Sequence, residues 1–215
     1  MAIHRSLARI ACAVPLFVAG TNPAFAHHVM GGHVPTNFGQ GFLSGLAHPV
    51  IGLDHLAFVV AVGITAALAG RLWTLGLSFV AATLAGCLVH LAGGTLPVAE
   101  LVIAATLLLL GAIIATNREL PAVMLGLLFA GAGLFHGWAY GESIFGAEQT
   151  PLAAYLAGFT LIQLAVVLFA GLVTRWVIAT ESDRMKVRLA GAAVAGMGLV
   201  LFIGNVESVL FPGVS

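Results

Sequence analysis

Charge is scarce in this chain: eight Lys and Arg and eight Asp and Glu make 7% of 215 residues, against about 25% in a soluble domain. A water-soluble globule of this size cannot hide a composition that is 60% hydrophobic with a mean hydropathy of +1.10, because much of any folded surface faces solvent. A cytosolic enzyme, a disordered chain and a nucleic-acid binder are excluded together. The cationic and anionic residues balance, so there is no basic field to attract phosphates. Cysteine is reduced to Cys12 and Cys87. No Walker A glycine loop is present, so the chain itself does not hydrolyse ATP, and neither HExxH nor G-x-S-x-G occurs. What remains is an integral membrane protein whose main partner is the lipid bilayer.

Residues 1–26 read as a signal peptide. Arg5 and Arg9 give a positive start, an apolar run follows from Ile10 to Gly20, and Ala24-Phe25-Ala26 is a small-x-small cleavage signature. The run is too short to span about 30 Å of hydrocarbon. An uncleaved anchor is the alternative reading, and a lipoprotein reading at Cys12 is disfavoured by Arg9. Cleavage after Ala26 leaves Cys87 as a lone thiol and a new N-terminus outside the cytoplasm. Residues 27–40 then form an external segment bearing His27, His28 and His33, and residues 41–215 form a membrane domain.

That domain is expected to be all-α, a polytopic bundle of six spans near 42–69, 72–92, 97–116, 121–140, 152–175 and 188–206, each near the ~20 residues a membrane helix needs. Breaks fall at Arg71, at Gly93-Gly94-Thr95, at Asn117-Arg118-Glu119, at 141–151 and at 175–188. Arg71, Arg118, Arg175, Arg184, Lys186 and Arg188 all fall in the first, third and fifth connections. The positive-inside rule makes these cytoplasmic, with both chain ends external, the side a cleaved signal peptide also predicts. Small residues at four-residue spacing, such as Ala192/Gly196 and Gly133/Gly137, predict close helix packing. No internal repeat of the transporter type is visible.

Ionisable side chains inside a span cost at least about 2.5–3.5 kcal/mol for Asp at the helix centre. Asp54 is the clearest case, within His48-Pro49-Val50-Ile51-Gly52-Leu53-Asp54-His55. His48 and His55 share one helix face but stand roughly 10 Å apart along a regular helix. Two imidazoles on one ion need nitrogens within about 4 Å. Either the first span breaks near Pro49 and Gly52 so that the ligands converge, or the histidines form successive sites. His90 ends the second span, Glu100 begins the third, and His136 and Glu142 close the fourth, all toward the external face. Gln163 and Cys87 read as packing residues.

The donor set is imidazole and carboxylate. Imidazole suits nickel, copper and zinc; a Cu(I) path wants clustered thioethers, and Met1, Met30, Met124, Met185 and Met197 form none. Nickel, cobalt and zinc remain. The strings His48-x5-Asp54-His55 and Phe135-His136-Gly137-x-Ala139-x-Gly141 resemble the two signatures of the HupE/UreJ family of small secondary nickel permeases, associated with hydrogenase and urease maturation. The resemblance covers nearly the whole chain. It implies that His48, Asp54, His55, His136 and Glu142 handle Ni2+ (or Co2+), with no permanently bound cofactor and no enzymatic activity. It also implies a multi-pass protein of the bacterial inner membrane. His90, Glu100, His27, His28 and His33 are additional path or capture candidates from the residue argument alone. Two other classes compete: an intramembrane metal-dependent hydrolase using the same His and Asp residues, and a b-type haem protein pairing His90 with His136.

Overall fold

The computed structural model describes residues 33–178 and 181–211, so the expected signal peptide, His27 and His28 lie outside the described residues. Within that range the chain is helical: α1 Phe38–Ile51, α2 Leu53–Leu68, α3 Leu72–Leu91, α4 Ala99–Ala115, α5 Ala122–Glu142, α6 Gln149–Val177 and α7 Glu181–Leu210. The all-α expectation holds for the described residues. Helices α3, α5, α6 and the Asp183–Leu210 part of α7 are long and apolar enough to cross a bilayer, and α1 with α2 passes as one bent pair. Helix α4 has 17 residues and rises about 26 Å, slightly less than the hydrocarbon thickness.

Local chemistry sets the helix ends. Three of the expected breaks close with the same cap, in which the amide three residues past the helix bonds back five residues and the amide before it bonds back three. Gly70 (φ 67°), Gly93 (φ 83°) and Asn117 (φ 50°) adopt the left-handed conformation with Arg71 N–H donating to Ala66, Gly94 to Val89 and Arg118 to Ile113. Glycine and asparagine accept that conformation at least cost.

The first span breaks near Pro49 and Gly52, as expected, and Gly52 makes the turn. Pro49 lies inside α1 and His48 is helical; its missing amide falls in the last turn, where losing one bond does not end the helix. The turn is made at Gly52 alone, with φ −71° and ψ 102°, and α1 and α2 meet at 79°.

Helices pair most extensively as α3 with α5, α4 with α7 and α1 with α6, while α2 runs through the middle and touches the rest of the bundle through α3, α4, α6 and α7. Phe58, Val62 and Ala66 of α2, Phe79 of α3, Leu107 and Leu110 of α4, Phe129 of α5 and Val167 of α6 form the buried core. At the α3–α5 seam, Gly137 lies against the Thr83 main chain, and a Cβ on Gly133 would stand 2.7 Å from that of Ala82. The Gly133/Gly137 expectation therefore holds. The Ala192/Gly196 pair is corrected: Gly196 faces open space, and α7 approaches α4 through Gly191 and Gly198. Cys87 and Gln163 are buried, and Gln163 Nε2 donates to Thr83 Oγ1 at 3.1 Å, as packing roles require.

The cationic residues gather at one end. Arg118 and Arg184 line a cavity of about 270 Å3 with Leu68 and Ala69 from the end of α2, and Arg188 Nε donates to the Ala115 carbonyl at 2.9 Å. His55 begins α2 and His136 lies near the end of α5, placing both in the opposite half.

Candidate metal centre

The break at Gly52 does what a straight helix cannot. His48 in the last turn of α1 and His55 in the first turn of α2 come to a ring-centroid separation of 6.5 Å. Helix α5 brings His136 to the same place, 5.2 Å from His55 by ring centroids. The three imidazoles are 3%, 2% and 0% exposed for His48, His55 and His136, so they are closed off from solvent.

His55 Nδ1 and His136 Nδ1 stand 3.1 Å apart. Two nitrogens each about 2.0–2.1 Å from one ion are separated by about 2.9–3.4 Å at right-angled to tetrahedral geometry. The pair already has the spacing of two ligands. Its protonation follows from the neighbours. Thr106 donates its hydroxyl to the Ile103 carbonyl at 2.8 Å, so its oxygen accepts from His136 Nε2 at 3.1 Å. That fixes the His136 proton on Nε2 and makes Nδ1 the imine nitrogen, which accepts from His55 Nδ1–H. A hydroxyl holding the far nitrogen of a ligating histidine orients the ring and sets its tautomer.

His48 is held by a second network. Tyr155 donates to the Tyr140 carbonyl at 2.8 Å, leaving its oxygen to accept from His48 Nδ1 at 3.4 Å and from Ser143 at 3.1 Å. The His48 proton then sits on Nδ1, with Nε2 as the imine nitrogen. Asp54 is half-buried in the first turn of α2. A Cβ on Gly52 would come within 3.2 Å of its Oδ1 and 3.0 Å of His55 Cδ2, so the absence of that atom lets carboxylate and imidazole fold back to the break. Beneath the pair, Phe58 stacks on His136 at 4.1 Å and packs against Phe79, which in turn meets Phe129. This apolar floor separates the imidazoles from the cationic end.

Other expected residues go elsewhere. Glu142 and Glu100 are exposed and line a separate cavity of about 350 Å3 with Trp138, Asn205 and Ser208. His90 packs on Trp138 at 4.6 Å and on Phe145 at 5.7 Å, whereas His136, the partner a haem needs, packs on His55 and Phe58. His33 is exposed near the start of the described residues. No three His, Cys, Asp or Glu side chains stand together as a closed metal-binding group among the described residues; the geometry supplies a pair of nitrogens with a carboxylate nearby.

The two motifs thus fall on one buried site, and the chain can be set beside known proteins. Residues 15–201 match the family described as HupE / UreJ protein. The chain belongs to the HupE/UreJ family. It is 30% identical over 184 residues to "Protein HupE" of Rhizobium leguminosarum bv. viciae, covering 85% of this chain and 92% of that protein. No solved structure matches it.

Three residues of this HupE/UreJ chain escape a sequence reading: Thr106, Tyr140 and Tyr155. Thr106 is one hydroxyl in an apolar run, where a bond to its own helix is the ordinary expectation; the only signal is its polarity. Replacing Thr106 with valine keeps the shape and removes the hold on His136 Nε2. Nickel affinity, measured by isothermal titration of the detergent-solubilised protein, is expected to fall about tenfold or more, with little change in the melting temperature.

Proposed function

We propose that this HupE/UreJ chain is a permease that takes up a divalent transition metal, Ni2+ above all and Co2+ with it, for the maturation of a hydrogenase or urease. The observation that carries the reading is the His55–His136 nitrogen pair, 3.1 Å apart and buried, with Asp54 beside it. Imidazole nitrogen matches nickel and cobalt, and the ionised carboxylate offsets the charge of a divalent guest in a low-dielectric interior.

Two nitrogens and a nearby carboxylate suit transport better than a closed cage. A conducted ion must bind well enough to enter and weakly enough to leave. The ion keeps water in its remaining positions. Its arrival requires the proton between His55 and His136 to move away from that line, so ion binding competes with protons.

In this reading the six apolar helical units, counting α1 with α2 as one, all cross the bacterial inner membrane after removal of residues 1–26. The end carrying Arg118, Arg184 and Arg188 faces the cytoplasm under the positive-inside rule, and both chain ends face outside. His27, His28 and His33 with the Glu100/Glu142 cavity then lie on the side from which the ion comes, as capture residues. The chain acts as a transporter and not as an enzyme; family membership favours this over the hydrolase alternative.

The test is uptake of radioactive nickel, cobalt and zinc into proteoliposomes, with and without a pH gradient. Accumulation of nickel above protein-free vesicles is expected, with cobalt competing. Vesicles containing the protein that take up none of the three ions reject the reading.

A further inference from the structure

Beside the histidine pair lies a polar atom that the fold does not use. Tyr140 is 0% exposed, and its hydroxyl has no hydrogen-bond partner among the described residues. Its ring stands edge-on to His48 at 5.2 Å and tilted on His55 at 4.5 Å. Its neighbour Tyr155 is a useful contrast, because that hydroxyl is engaged by the Tyr140 carbonyl, Ser143 and His48. A buried hydroxyl left unpaired is a net cost to folding. Phenylalanine would fill the same space without it. The packing of Tyr140 is therefore explained by its ring, and its oxygen is not explained by the resting protein at all.

We propose that the Tyr140 hydroxyl is a further member of the ion site, bonding to a water that the divalent ion carries when it sits between His55 and His136. This rests on the permease reading above and adds a residue that neither motif contains as a fixed position. The ring contacts place Tyr140 against both the α1 and α2 histidines. Two imidazole nitrogens leave several coordination positions of a nickel ion to water. A metal-bound water is a strong donor, and a neutral phenol oxygen is a good acceptor for it and a poor direct ligand. The hydroxyl thus acts on the ion through its hydration shell, and Tyr140 is a positioning residue for the guest.

The experiment compares full-length wild type, Tyr140→Phe and His136→Ala, purified in detergent. Each is titrated with NiCl2 by calorimetry and melted without metal. Tyr140→Phe leaves the carbonyl that receives the Tyr155 hydroxyl in place. It is expected to melt at or above the wild-type temperature while binding nickel roughly tenfold more weakly, the loss of one charge-assisted hydrogen bond. A purely structural tyrosine gives the reverse: a lower melting temperature and unchanged affinity. Either of those two results overturns the proposal. Wild type that binds no nickel, or His136→Ala that binds as well as wild type, overturns the permease reading and this inference with it. Tight wild-type binding lost in His136→Ala but kept in Tyr140→Phe overturns only the role of Tyr140.

Discussion

Alanine in place of His136 is expected to reduce nickel uptake at trace external nickel to the level of protein-free vesicles. The substitution removes one of two nitrogens at ligand spacing, and an ion cannot be held at that point by His55 alone. It also leaves His55 Nδ1 and the Thr106 hydroxyl without the ring they engage and takes the stacking partner from Phe58. Some loss of stability accompanies it, about 1–3 kcal/mol for a buried polar group deprived of its partner, so melting must be measured beside transport. His55→Ala is expected to act as severely. The double variant should be hardly worse than either single one, since residues acting as a unit are not additive. In cells, a nickel-dependent enzyme should lose activity at limiting nickel in His48→Ala, Asp54→Ala and His136→Ala variants, and excess nickel should restore it. Normal activity in all three at trace nickel rejects the path.

The largest effect on folding is expected at Gly137. A leucine there meets the main chain of Thr83, and a backbone segment cannot rotate aside as a side chain can. Either α5 moves off α3 or the pair fails to form, and both options displace His136 one residue away. Overpacking in a core costs about 1–3 kcal/mol even where side chains absorb it; against main chain the cost is expected to exceed 3 kcal/mol. The measurable result is little or no protein in the membrane fraction, or a much lower melting temperature in detergent. Gly196→Ala is the matched control, because Gly196 has nothing within 4 Å of the atom it lacks. That variant should be neutral or gain up to about 1 kcal/mol of helix propensity. Equal behaviour of the two variants contradicts the seam described for α3 and α5.

The sequence carries the architecture well because membrane constraints are coarse. Apolar runs, and left-handed caps at Gly70, Gly93 and Asn117, are written in residue type. The convergence of His48 with His55 is legible as a requirement, since seven helical residues separate them too far for one ion. The residue that meets the requirement is less so. Pro49 carries the stronger breaking signal, yet the last turn of α1 absorbs it, and Gly52 makes the bend, its missing Cβ giving Asp54 and His55 room to crowd back. Glu142 lies apart from the histidine pair. It follows the second motif in sequence, but one residue past Gly141 on a helix is a turn of 100° away from it, and the side chain emerges toward Glu100 and Asn205. Thr106 and Tyr155 are invisible in principle, because their roles depend on which ring nitrogen faces them from another helix.

The bend at Gly52 has an electrostatic consequence. Interrupting a helix midway puts the carboxyl end of α1 and the amino end of α2 at one depth, each carrying about half an elementary charge of opposite sign. Asp54, in the opening turn of α2, rests against the positive terminus, which offsets its anionic charge. His48, in the closing turn of α1, sits by the negative terminus, where an incoming cation is favoured. The kink therefore sets a positive and a negative helix terminus beside the histidine pair, using peptide groups alone.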